Sequence, residues 1–133
     1  MTTELIYLTL VAVLTASLWI PFIVGVNVQK DVYAGDFTRP PDVSKFAPWI
    51  HRAHRAHLNA VEQVLPFAVL VLLLNSIGVS TSWTVGASVA FFWLRLAHAV
   101  GMITGLARFP VRPILFTAGW ICIMILGWQA FAA

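Results

Sequence analysis

Four long apolar runs, divided by two short breaks and one long polar stretch, make up most of this chain. They extend from about Leu5 to Val28, Leu58 to Val79, Trp83 to Leu106 and Val111 to Ala132. Each meets the length needed to cross a bilayer, about 20 mostly apolar residues for about 30 Å of hydrocarbon. The pattern therefore predicts four membrane-spanning helices. The breaks at 78–82 and 107–110 are too short for anything but tight turns, which makes neighbouring helices antiparallel. The expected fold is all-α, an integral membrane four-helix up-and-down bundle forming one domain over residues 1–133.

The first run has no basic leader, is longer than the apolar part of a secretory signal and is expected to continue unbroken to Val28 as a retained helix. The stretch 29–57 carries Pro40, Pro41 and Pro48 among scattered charges, so its first half is expected to be irregular. From Pro48 onward "PWIHRAHRAHLN" contains no breaker, and proline suits the first turn of a helix, so the second helix starts before it reaches the membrane. Pro21, Pro66 and Pro113 fall in or at the edge of spans, where each removes a backbone donor and favours a kink.

Composition agrees with this pattern. Of 133 residues, 60% are hydrophobic and 10% charged, far from the balance of soluble domains. The net charge of +3 is less informative than its distribution. Lys30, Arg39, Lys45, Arg52 and Arg55 lie between the first two runs, and Arg108 and Arg112 between the last two. The other side has neither lysine nor arginine, so the positive-inside rule puts both basic loops in the cytoplasm and both termini outside it. Short loops without a retention signal point to a bacterial inner membrane. Trp49, Trp83 and Trp128 fall where interfacial rings anchor spans. Cys122 is the lone cysteine, in an apolar setting suited to packing.

The polar residues inside the spans require a reason to be there. Arg55, Asn59 and Glu62 are four and three residues apart and form a stripe along one face of the second helix. Arg95 and His98 share a face of the third, with Arg95 on the order of 16 Å inside its cytoplasmic end. A charge at that depth costs at least about 2.5–3.5 kcal/mol unless it faces protein or a wet cavity. One reading is an interhelical ion pair between Glu62 and Arg95, with His98 bonded nearby. The other is a bound anion, because one internal carboxylate cannot neutralise Arg55, Arg95 and Arg112 together. His51, His54 and His57 recur every third residue, but this spacing drifts around a helix, and an interfacial basic helix fits better than a metal site. No phosphate loop, cysteine pair or nucleophile triad is present, and nothing points to a nucleic-acid partner.

"RAHRAHLNAVEQVLPF" resembles the start of the second helix in the membrane-associated proteins in eicosanoid and glutathione metabolism, most closely the microsomal glutathione transferase branch, where R-x-H-L-N-x-x-E precedes a P-F pair. "ARFPVRPILFTAGW" resembles that family's entry into the fourth helix, which carries its catalytic arginine. The resemblance covers nearly the whole chain. It implies a homotrimer in the lipid bilayer that binds glutathione as cosubstrate between subunits at the cytoplasmic side. It implies that Arg55, Asn59 and Glu62 hold the tripeptide, Arg55 at a carboxylate and Glu62 at the amino group, with His57 lining the site and Arg95 and His98 belonging to it. Arg112 would be the catalytic residue that stabilises the thiolate.

The implied activity is a membrane-bound transferase or peroxidase acting on apolar electrophiles or lipid hydroperoxides. Active members often carry a tyrosine one turn beyond the position of His98, where this chain has Met102. A non-catalytic protein of the same fold that binds lipid or partner membrane proteins is the alternative. An ion-coupled transporter using Glu62 is disfavoured by a first span with no acid beyond Glu4.

Overall fold

The computed structural model describes residues 1–29, 38, 40 and 42–133. Lys30, Arg39 and Pro41, used above for loop charge and irregularity, lie outside the described residues, as does Tyr33. The helices are Thr3–Ser17 (α1), Trp19–Val28 (α2), Pro48–Ser76 (α3), Ser82–Thr104 (α4) and Val111–Phe131 (α5). Four stretches, Thr3–Val28, Pro48–Ser76, Ser82–Thr104 and Val111–Phe131, are long and apolar enough to cross a membrane. Among the described residues the structure is wholly helical apart from turns and loop segments.

The first span is not the unbroken helix expected. It is interrupted at Leu18, and the cause is three residues further on: Pro21 has no N–H for the Ser17 carbonyl, and its ring crowds that carbonyl. Pro48 occupies the first turn of α3, while Pro66 sits inside it without ending the helix. The start of α4 is closed by a capping box, in which the Thr81 hydroxyl accepts from the Thr84 N–H and Thr84 accepts from the Thr81 N–H. Its end falls at Thr104, short of the expected Leu106, because Gly105 takes φ 81°, a left-handed conformation that stops helices. The chain then folds back closely enough for the Ala107 N–H to reach the Gly101 carbonyl at 2.9 Å.

The loop between α2 and α3 closes on a polar clamp. Gln29, at the end of α2, donates to the Lys45 carbonyl and accepts from the Ala47 N–H at 3.0 Å. Between these anchors Val43–Lys45 forms one 3-10 turn. Asp42 caps it, and the hydroxyl and N–H of Ser44 hold the Asp42 carboxyl below its ordinary range. Phe22, Val26, Phe46 and Ile50 pack beneath the clamp, with Phe22 stacked on His54 at 4.4 Å. Basic helix and loop are thereby fixed to the end of the first span.

α4 is central, packing on α5, α3 and α1. The main core joins Val11, Phe67, Val71, Leu74, Phe91, Ile123 and Leu126, with Phe67 and Phe91 stacked at 4.0 Å. Burial is reversed from that of a soluble bundle. Val13, Leu65, Val69, Trp93, Ile114 and Trp120 are exposed, while Gln63, Thr84, Ser88, Arg95 and His98 are buried. Lipid contacts the apolar exterior at no cost, whereas backbone and polar groups must find partners inside.

Candidate functional site

The inner face of α3 runs Ala53, Ala56, Ala60, Gln63, Phe67, Val71 and Leu74, a stripe at helical spacing. Each neighbour on that helix is rotated by about 100°, which places Gln63 inside the bundle and Glu62 outside it. Glu62 and Arg55 are exposed, and His57 and Asn59 are half-buried on the flank. The polar stripe expected from the spacing is present, but it lies on the outer side of the bundle rather than between α3 and α4.

The Glu62–Arg95 ion pair is therefore not formed, and among the described residues the one ion pair is Lys45–Asp42. Arg95 is 2% exposed and donates from Nη2 to the Leu115 carbonyl of α5 at 3.1 Å. Its guanidinium lies 5.8 Å from the Phe91 ring and 5.7 Å from the Phe116 ring. Next to it the Gln63 amide donates to the Phe116 carbonyl at 3.0 Å. One backbone carbonyl and two aromatic faces thus stand where the carboxylate was expected, and Arg95 Nε and Nη1 make no hydrogen bond. His98 is equally buried, 6.3 Å from Phe116, and its Nε2 makes no hydrogen bond.

This arrangement requires Gly119. A Cβ there would come within 2.6 Å of Gln63 Oε1 and 3.1 Å of Arg95 Nη2. The sequence reading missed Gln63 as a contact to α5 and missed Gly119 altogether. The available signals were the inner stripe of α3, which includes Gln63, and a small residue within "AGW" that lets helices approach.

At the basic-loop end a cavity of about 430 Å³ opens between α3 and α5, lined by Asn59, Phe109, Arg112, Pro113, Phe116 and Thr117. The structure thus brings Asn59 and Arg112 together from separate helices. Arg55, His57 and Glu62 are not in its wall; they continue the polar surface of α3 beside Asn59. Arg95 and His98 lie behind Phe116, inside the bundle. Arg112 is positioned by the turn after Gly105 and by Pro113, which falls in the first turn of α5, where a missing N–H costs little.

Asn59 Nδ2 is buried and makes no hydrogen bond, a donor placed beside a cation in a pocket with aromatic walls. The volume falls within the range of about 300–1,000 Å³ usual for small-molecule sites, which mix apolar walls with few polar groups. Such a pocket suits a small anionic, amide-bearing ligand. Met102, at the position where active members often carry a tyrosine, is 4% exposed inside the bundle, and Tyr7 packs edge-on against Phe92 at 5.8 Å. Among the described residues no three of His, Cys, Asp and Glu gather as a metal site.

The MAPEG family model matches residues 5–132. No curated protein matches the chain.

Proposed function

The chain belongs to the MAPEG family, the membrane-associated proteins in eicosanoid and glutathione metabolism, and from that premise we propose that it is a glutathione-dependent transferase or peroxidase for apolar electrophiles or lipid hydroperoxides. The observation that supports this most is the cavity shared by Asn59 and Arg112, with Arg55 and Glu62 exposed about one turn to either side of Asn59 on α3. Bare charges on a helix that enters a bilayer need a covering surface. In the proposed assembly a neighbouring subunit of a homotrimer covers them, and glutathione fills the seam.

Arg55 then meets a carboxylate, Glu62 the amino group and Asn59 the peptide, while His57 lines the edge. Arg95 and His98 act as positioning residues behind Phe116. Glutathione supplies the nucleophilic sulfur. The Arg112 guanidinium stabilises its thiolate, because a nearby cation lowers a thiol pKa. The sulfur forms a bond to the electrophilic carbon as the leaving group departs. Phe109, Pro113 and Phe116 provide the apolar side from which a bilayer-dissolved acceptor approaches. Holding both partners together contributes rate by proximity.

The test is Arg112→Ala assayed with glutathione and an activated aryl halide in detergent or liposomes. The expected result is a loss of kcat/KM of at least about 100-fold, comparable to removing one stabilising donor of a developing anion, with glutathione affinity nearly unchanged. Unchanged turnover would remove Arg112 from the chemistry. The MAPEG family also contains non-catalytic members, and Met102, with Tyr7 remote from the cavity, favours that second reading. A trimer that shows no glutathione-dependent stabilisation would support it.

A further inference from the structure

The opposite end of the bundle holds a buried acid that the proposed chemistry does not use. Glu4, in the first turn of α1, is 6% exposed. Its Oε1 receives hydroxyl donors from two other places in the chain, Ser80 at 2.8 Å in the α3–α4 turn and Thr84 at 2.7 Å in the first turn of α4. Its other oxygen, Oε2, is buried and has no hydrogen-bond partner. No cation among the described residues comes within ion-pair distance. Glu4 also lines a cavity of about 100 Å³, together with Thr2, Asn75, Gly78 and Ser80 on its polar side and Val71 and Leu126 on its apolar side.

We propose that this cavity is a site for a compact monovalent cation, an alkali ion with its waters or a primary ammonium group, bound at Glu4 Oε2. Two hydroxyls satisfy Oε1, but a buried carboxylate oxygen with no partner is costly, and a cation beside Oε2 removes that cost. The remaining wall offers what such a guest needs: hydroxyl and amide oxygens from Thr2, Ser80 and Asn75. The volume limits the guest to a few atoms. The charge type follows from the acid count, since divalent sites recruit several carboxylates and this one has a single acid. α1 would be joined to the α3–α4 turn through the cation, on a part of the molecule separate from the Asn59–Arg112 cavity.

The test is thermal unfolding of the purified protein at constant total salt, with choline chloride replaced stepwise by sodium, potassium or methylammonium chloride. Choline is too bulky for the cavity and serves as the reference. The expected result is a saturable rise in Tm on the order of 5 °C with at least one of the compact cations. Sodium or potassium acting alone identifies an alkali site, and methylammonium acting alone an ammonium site. Glu4→Gln keeps the shape and should abolish the saturable part. If that variant does not fold, Ser80→Ala decides instead, with an expected loss of about tenfold in cation affinity. Indistinguishable curves in all salts, a shift that survives Glu4→Gln, or unaltered affinity in Ser80→Ala would overturn the site.

Discussion

Gly119 sets how closely α5 approaches the polar side chains inside the bundle. A methyl at this position would meet Gln63 Oε1 at 2.6 Å, and the Gln63 bond to the Phe116 carbonyl would be strained or lost. Overpacking and an unpaired buried amide each cost about 1–3 kcal/mol. Set against the gain of about 1 kcal/mol that alanine brings to a helix interior, Gly119→Ala should still lower stability by about 1 kcal/mol. Gly86→Ala is the control, since a Cβ there meets nothing within 4 Å. Equal melting temperatures for the two variants would refute the packing described around Arg95. Part of this site was legible in the chain: Arg55, Asn59 and Glu62 form a stripe at any helical rotation. Their direction was not. The pairing of Glu62 with Arg95 followed from charge alone, whereas the apolar stripe of α3 turns Gln63 inward and Glu62 outward. The carbonyls that receive Arg95 and Gln63 have no signature in side-chain chemistry.

At the scale of elements, local chemistry accounts for most boundaries. Pro21 breaks the first span, Thr81 and Thr84 start α4, and Gly105 ends it. The proline was visible in the sequence as a source of kinking, but apolar periodicity continues across it, so the run still read as one helix. The Gln29 clamp was not visible, because it joins residues 16 and 18 positions apart through backbone atoms. It has a direct consequence. The Lys45 carbonyl accepts from the Gln29 side-chain amide, so Gln29→Ala should release that peptide and speed tryptic cleavage after Lys45 several-fold, without unfolding the spans. Cleavage at the wild-type rate, followed by mass spectrometry, would show that the clamp does not restrain the loop.

For the whole molecule, membrane insertion was the most legible property, because four apolar runs leave no soluble alternative. The orientation proposed from charge bias, with the basic loops in the cytoplasm, is testable with single cysteines in a Cys122→Ser background. Ser80→Cys should react with an impermeant maleimide added outside intact cells, and Arg108→Cys only after permeabilisation. The reverse pattern would invert the topology and move the Asn59–Arg112 cavity to the other face. The proposed assembly was less legible, since the argument for it depends on which face of α3 is outward. Exposed Arg55 and Glu62 on a helix entering the bilayer motivate self-association; an isolated subunit in lipid would leave both charges uncovered.

The outer polar stripe of α3 is proposed to bind glutathione, with Arg112 of α5 beside its sulfur. Calorimetric titration of detergent-purified protein with glutathione at low salt tests it most directly, with Arg55→Ala as the comparison. The account predicts micromolar to low-millimolar binding, worth about 4–8 kcal/mol, and its loss in the variant, because a charge-assisted contact to a carboxylate disappears. Absence of binding to the wild-type protein, or equal binding by Arg55→Ala, would contradict it and leave the stripe as a surface for contact between membrane proteins.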